Sequence, residues 1–103
     1  MLEVKIIKEG YFRGKSSLMS ASSNVVLIKG KRNIIVDTGG MGEGKRIISG
    51  LKEEGLKPED IDLVINTHCH LVHVWNNYLF EEAEFLVGGV KYSGDSFEII
   101  KYP

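Results

Sequence analysis

Short apolar runs alternate with glycine-rich or charged turns along most of the chain. Continuous runs of this kind, bounded by turn residues, are typical of β-strands that are covered on both faces. The strands predicted from the pattern are residues 4–7, 24–28, 33–37, 61–65, 84–87 and 97–100. The basic segment at residues 29–32 is typical of a solvated hairpin turn. Residues 11–23, which are rich in serine, are predicted to form a loop or an irregular edge strand.

Two segments between these strands carry helical patterns. In residues 43–54 the side chains of Ile47, Ile48 and Leu51 fall on one helical face, and charged residues lie elsewhere. Residues 74–80 are predicted to form a second, short helix. The order of strands, helix, strand, helix and strand predicts an α/β (α+β) domain. Two short helices cannot cover both faces of such a sheet, so the chain is short of covering material.

Composition and charge narrow the classes of function. The 103 residues are 43% hydrophobic and 26% charged, which excludes a disordered chain and leaves room for one domain. The 13 basic and 14 acidic residues nearly cancel, so we expect no surface for nucleic acid and none for a membrane. No signal-peptide pattern opens the sequence, and the single cysteine cannot form an intrachain disulfide. We therefore expect a reducing, cytoplasmic location.

All three histidines of the chain lie within residues 68–73. His68 and His70 are two residues apart at the end of a predicted strand, which places both rings on one side. A helix that starts there brings His73 back toward the same point. Neutral imidazoles are common zinc ligands, and three of them with one open position form a catalytic zinc site. The alternative interpretation is a set of loop histidines that hydrogen-bond to backbone or water. Cys69, between the first two, is interpreted as a small buried apolar residue.

Two motifs around this cluster resemble the metallo-β-lactamase superfamily. One apolar strand ends in D-T-G at residues 37–39, and a second runs into T-H-x-H at residues 67–70. The resemblance implies half of an αβ/βα sandwich, with a mixed or antiparallel sheet and two or so helices on one face. It also implies that residues 1–103 form a single truncated domain, the N-terminal half of the family fold.

The resemblance assigns roles residue by residue. His68 and His70 match ligands of the family's first metal, and His73 matches a ligand of the second. The acid that accompanies this last histidine is replaced by Val72, which offers no lone pair to a metal. Asp37 matches a position that supports the histidines by hydrogen bonding. No histidine follows His73 in the chain. The resemblance therefore implies at most one ion per chain, zinc or alternatively iron, or none.

A second motif offers a remote alternative. The segment from Gly39 to Lys45 fits the spacing of a phosphate-binding loop between a strand and a helix. The motif fails at its last position, where Arg46 replaces the Ser or Thr whose hydroxyl holds magnesium. A glycine-rich turn between strand and helix explains the same residues.

Two hypotheses about function follow from the family resemblance and from the metal ligands that this sequence lacks. The first is a metal-dependent hydrolase of a small-molecule substrate with an ester, thioester or phosphodiester bond. Because several ligands are missing together, we expect its activity to be impaired or absent. The alternative is a non-catalytic, self-associating remnant, or a truncated product of a longer hydrolase. A half-sandwich exposes an apolar sheet face, so a homodimer is expected.

Overall fold

The computed structural model describes residues 2–15 and 17–100, and within them it contains nine strands and two α-helices. The strands are β1 (Glu3–Lys8), β2 (Tyr11–Lys15), β3 (Leu18–Ser22), β4 (Val25–Lys29), β5 (Asn33–Val36), β6 (Leu63–Asn66), β7 (Glu84–Val87), β8 (Val90–Ser93) and β9 (Ser96–Ile99). The helices are α1 (Gly44–Glu53) and α2 (Leu71–Val74), with 3₁₀ segments at Pro58–Asp60 and Trp75–Leu79.

Seven of the strands form one mixed sheet in the order β1-β4-β5-β6-β7-β8-β9. The central pairs β5–β6 and β6–β7 are parallel, and the other pairs are antiparallel. The parallel pairs require crossover connections, which α1 and α2 supply. Strands β2 and β3 form a separate hairpin. The mixed sheet with two helices confirms the predicted α+β class.

The hydrophobic core lies on one face of the sheet. Its buried side chains are Val25, Leu27, Ile35, Ile47, Leu51, Ile61, Val64, Phe80 and Ala83. The strand residues next to them in sequence, such as Val26 and Ile34, are only partly buried. In the described residues only one face of these apolar strands is covered, as expected from two short helices that cannot cover both faces. Both helical connections pack on the same side, so only every second strand residue is fully buried.

A bulge in β1 turns two successive side chains toward α1. The register of β1 against β4 shifts between Ile6 and Lys8, and Lys8 then pairs with the buried Val25. Ile7, the residue between them, packs against the core. An extra residue in one strand breaks the alternation of faces, so both Ile7 and Lys8 lie on the helical side. The bulge thus places an ammonium group at 4% exposure beneath the loop that leads into α1.

Helix α1 approaches β1 closely at Gly50. A Cβ at this position would overlap Cγ2 of Ile7 and lie 3.3 Å from its carbonyl oxygen. Gly50→Ala is therefore expected to destabilise the fold by about 1–3 kcal/mol through overpacking, although alanine in an exposed helix is worth about 1 kcal/mol over glycine. Urea denaturation checks this, with the exposed Ser49→Ala as a control that should leave the midpoint unchanged or raise it. A midpoint for Gly50→Ala at or above the wild-type value would contradict the close packing.

The elements differ from the predicted ones mainly where side chains have little to bury. Strands β2 and β3 pair regularly, where a loop or an irregular edge strand was predicted, and β8 had no counterpart in the prediction. The second helix begins at Leu71, three residues earlier than predicted. The longest helix in the described part of the chain has 10 residues, and no helix there could cross a membrane.

Candidate metal centre

The histidine loop, residues 67–73, begins at the carboxyl end of the central strand β6. Its parallel neighbour β5 ends beside it, because Val36 pairs with Ile65. The main chain keeps this pairing one residue further, where the Asp37 amide donates to the Ile65 carbonyl at 2.8 Å. Residues that follow two parallel strands at the same edge lie together, and ligand sites of open α/β sheets occur at this edge.

The three imidazole rings lie close together at this edge. The ring centroids of His68 and His73 are 4.7 Å apart, those of His68 and His70 are 5.6 Å apart, and those of His70 and His73 are 6.3 Å apart. His68 and His70 are exposed, and the side chain of His73 is 20% exposed. The loop therefore presents three nitrogen-donor rings toward solvent from one short segment.

Asp37 connects the end of β5 to this loop. Its Oδ1 accepts a hydrogen bond from the Thr67 amide at 2.8 Å, and its Oδ2 accepts one from the Thr67 hydroxyl at 2.6 Å. The same Oδ2 lies 3.1 Å from Nδ1 of His73. Asp37 has a left-handed φ of 61°, which Asp tolerates better than most residues. This conformation lets one nearly buried carboxylate contact both ends of the loop.

The ring contacts determine which nitrogens face outward. When Nδ1–H of His73 donates to the Asp37 carboxylate, the lone pair of Nε2 is left free. The Thr67 hydroxyl donates to Asp37 and lies 3.1 Å from Nδ1 of His68, so it can accept from that ring. Both rings are thereby held in the tautomer that offers Nε2 to a ligand.

Buried amides hold the main chain of the loop. The carbonyl of His73 accepts from the Thr38 amide and from Nδ2 of Asn66, both at 2.9 Å. Asn66 and Asn77 exchange side-chain hydrogen bonds at 2.8 and 3.2 Å. Nδ2 of Asn76 donates to the carbonyls of Thr38 and Gly40 at 2.7 and 2.8 Å. Sequence reasoning assigned no role to these asparagines, although consecutive Asn residues after a histidine motif are a usable signal for such a network.

The three imidazoles are suitable donors for a single metal ion, but their rings are not arranged around one common point. In residues 2–15 and 17–100 no group of three His, Cys, Asp or Glu side chains is arranged to hold a metal. Ring centroids about 5 Å apart are what three imidazoles around a zinc at ~2.0–2.1 Å require, and the distances of 4.7–6.3 Å bracket that spacing. His68 and His70 are exposed, so their rings are free to turn.

Two neighbours of the histidines do not act as ligands. Cys69 was predicted to be buried, but it is exposed and borders a surface cavity of about 560 Å³ together with Val74 and Phe85. The prediction was wrong because the chain has left the sheet at Thr67, so the residue no longer faces a core. Val72 carries an apolar side chain, and it borders a second cavity of about 330 Å³ on the other side of the loop.

A buried ion pair supports the glycine loop, residues 37–43, that lies against the histidine loop. Nζ of Lys8 lies 2.7 Å from Oε2 of Glu43 and donates to the Ser22 hydroxyl at 2.6 Å. Oε1 of Glu43 accepts from the Gly40 amide at 2.7 Å and from the Ser22 hydroxyl. Burial opposes ionisation of Glu43, but hydrogen bonds from Lys8, Ser22 and Gly40 and the Lys8 charge together lower its pKa from the ordinary 4.5.

The same carboxylate disfavours the phosphate-binding alternative. A phosphate loop leaves its amides free for the anion, whereas the Gly40 amide already donates to Glu43. The negative charge of Glu43 would also repel a phosphate at this position. The segment from Gly39 to Lys45 is therefore better explained as a turn stabilised by Glu43 and Lys8.

A histidine loop at the carboxyl end of central parallel strands lies where ligand sites of open α/β sheets occur, and it places the chain among proteins with a candidate metal site at this edge. The sequence profile of the Metallo-beta-lactamase superfamily matches residues 20–97, which is more than half of the chain. The chain therefore belongs to the metallo-β-lactamase superfamily, and the resemblance seen in its motifs is confirmed.

Individual relatives agree with this assignment. A Methanocaldococcus jannaschii protein named "Probable metallo-hydrolase" is 49% identical over 61 residues, which are 59% of this chain and 29% of that protein. The Xenopus laevis metallo-beta-lactamase domain-containing protein 1 is 38% identical over 85 residues, 82% of this chain and 36% of that protein. The crystal structure of a metallo-beta-lactamase candidate from Thermotoga maritima superposes with a TM-score of 0.71 at 36% identity, over 82% of this chain and 42% of that one. The chain thus spans less than half of the length of each of these relatives.

Proposed function

We propose that this chain is a metal-binding metallo-β-lactamase relative that holds one zinc ion through His68, His70 and His73 and has impaired hydrolytic activity. The observation that carries the proposal is the grouping of the three rings within 4.7–6.3 Å around a loop whose position 72 is valine. The rings supply donors for one ion. Val72 supplies none for a second.

The chain's own residues prepare this site in a definite way. Asp37 holds the Nδ1 proton of His73, and Thr67 holds that of His68, so two Nε2 lone pairs are oriented before any ligand arrives. An ion bound there would supply Lewis-acid activation of water and of an ester, thioester or phosphodiester bond. Imidazole ligands suit zinc and also iron, and zinc is our choice because three neutral nitrogens with one open position match its common catalytic set.

The impairment follows from the donors that are missing. A second ion would need the carboxylate that Val72 replaces. Loss of a single catalytic group commonly lowers turnover by several orders of magnitude. The non-catalytic alternative rests on the same valine and differs only in having no residual turnover. A free, exposed thiol at Cys69 agrees with a reducing, cytoplasmic location.

Zinc binding by the purified protein tests the proposal. We expect about one zinc per chain by elemental analysis and calorimetric titration, as the three-histidine set implies. His68→Ala and His70→Ala should each weaken zinc binding at least a hundredfold, because they remove ligands rather than the outer contacts that are worth ~10–100-fold. Cys69→Ala is the matched control, since it removes a metal-binding residue type from the same loop and should leave zinc binding unchanged.

Two results would contradict the site. Protein that stays metal-free after exposure to zinc and to ferrous iron would overturn it. Zinc that survives both histidine substitutions but is lost in Cys69→Ala would overturn it as well. Hydrolysis assays on simple carboxylic esters, thioesters and phosphodiesters should give rates near the uncatalysed background. Rapid turnover that His68→Ala abolishes would refute the impairment and leave the metal site standing.

A further inference from the structure

The face of the sheet opposite the helices forms a continuous apolar surface, here called the open face. Strand pairing aligns two rows of side chains across it. The first row contains Val4, Ile28, Ile34 and Leu63, and the second contains Ile6, Val26, Val36, Ile65 and Leu86. Val4 and Ile6 are 67% and 60% exposed, and the inner members are partly exposed. Both helical connections bury the other face, so nothing in the described chain packs over these rows.

The open face is large enough to act as an interface. Five strands about 4.8 Å apart contribute nine apolar residues, two from each strand except β7, and make an apolar patch on the order of 300 Å² in flat projection. Continuous apolar patches of a few hundred Å² mark interaction sites on soluble proteins. The polar strands β8 and β9 extend the same face, and seven strands project roughly 34 by 15 Å. This projection of roughly 500 Å² is more than half of the ~800 Å² that each partner of a stable complex buries.

The polar end of the open face carries charges of both signs. Glu84 continues the first row, and Lys91 and Glu98 continue the second. Lys91 lies 3.5 Å from Glu84 within one chain. Consider a two-fold axis that is perpendicular to the strands, parallel to the sheet and midway between the two rows. It places the first row of one copy over the second row of the other and keeps each strand over the same strand of its partner. Apolar side chains then meet apolar side chains on β1, β4, β5 and β6, whereas Glu84 lies opposite Leu86 of the other copy and one strand away from its Lys91.

We propose that the open face is the interface of a homodimer and is covered by the open face of a second copy of this chain. The apolar rows of β1, β4, β5 and β6 are self-complementary under this axis, which is what a two-fold interface requires, and Glu84 lies within one strand of the partner copy's Lys91. The proposal is independent of the metal site, because the histidine loop lies at the edge of the sheet and not on this face.

The test is the solution mass of the metal-free protein, measured by light scattering and sedimentation over a range of concentrations. We expect a mass of twice 11.5 kDa. Val4→Glu and Ile6→Glu place charges at exposed positions of the open face, so they leave the fold intact and should weaken the dimer at least tenfold. Ile48→Glu is the matched control, because this residue is 40% exposed on α1, on the opposite side of the sheet. It should leave the mass unchanged.

Each other outcome would overturn the dimer. A mass of one chain at all concentrations would leave the open face to a polypeptide outside these 103 residues. A mass that rises with concentration without a plateau at two chains would indicate non-specific association. A two-chain mass that survives Val4→Glu and Ile6→Glu would place the interface elsewhere, whether or not Ile48→Glu changes the mass. Circular dichroism of every variant separates loss of association from loss of fold.

Discussion

Replacing Glu43 with glutamine is expected to lower the free energy of unfolding by about 3–5 kcal/mol, the usual cost of breaking a buried ion pair by removing one partner. Lys8 is only 4% exposed, and its ammonium group would lose the carboxylate 2.7 Å away. Glutamine has the same shape as glutamate and keeps an oxygen that can accept from the Gly40 amide. The lost stability therefore measures the effect of removing the negative charge. Urea denaturation followed by the fluorescence of Trp75 and by circular dichroism measures it.

A double variant distinguishes the effect of the unpaired Lys8 charge from the effect of the lost hydrogen bonds around Glu43. In Lys8→Met/Glu43→Gln neither residue is charged, so most of the lost stability should return. If the double variant is as unstable as Glu43→Gln, the buried ammonium is not the cause. If Glu43→Gln itself changes stability by less than about 1 kcal/mol, the pair behaves like a surface salt bridge and the cluster does not support the glycine loop.

The pH dependence of stability gives an independent check on the same pair. The pKa of Glu43 is lowered in the folded protein, so the folded state binds this proton less readily than the unfolded state. Its contribution is therefore fully present above the ordinary value of 4.5 and is lost as the pH falls through the lowered pKa of the folded state. Between about pH 5 and 3 the wild type should lose stability more steeply than Lys8→Met/Glu43→Gln.

Replacing Val72 with aspartate is expected to strengthen zinc binding at least tenfold, because a direct carboxylate ligand should exceed the lower end of the ~10–100-fold effect of outer-sphere groups. The new carboxylate directly precedes His73, whose ring is already oriented by Asp37. It also borders the cavity that contains Glu43, but Lys8 neutralises that group. Calorimetric titration and elemental analysis should show tighter binding, and a second ion per chain where the donors suffice.

The exposed Leu71→Asp is the control for this substitution. It adds the same charge to the same helix, one residue from position 72, at a side chain that is 65% exposed. If zinc affinity rises equally in Val72→Asp and Leu71→Asp, the cause is the general electrostatic attraction of the cation by an added negative charge. If Val72→Asp does not tighten zinc binding, the loop does not direct position 72 toward the histidine rings, and the proposal that Val72 takes the place of a metal ligand would be wrong.

The local sequence pattern was sufficient to predict the strands that have apolar runs and the helix that has an apolar face. Strands β4, β5, β6 and β7 and helix α1 lie within one or two residues of their predicted ends. The regular pairing of β2 with β3 and the strand β8 were missed because most of their side chains are exposed. Without a buried face, a strand has no alternation to read.

The candidate site also has one part that could be predicted from the sequence and another part that could not. The spacing of His68, His70 and His73 could be recognised from the chain alone, because the three residues are close in sequence. The contact of Asp37 with His73 joins residues far apart in the chain, and so does the pairing of Lys8 with Glu43. Only the parallel alignment of β5 with β6 creates the first, and only the bulge in β1 creates the second.

The sequence by itself determined that this protein belongs to the metallo-β-lactamase superfamily and that valine occupies position 72 of its histidine motif, because those residues lie in short local motifs. The tertiary structure alone decided that Cys69 is exposed, that the glycine loop is occupied by a carboxylate, and that both helices pack on the same face of the sheet. These features depend on which side of the sheet each connection crosses, and that choice is made by packing between distant segments.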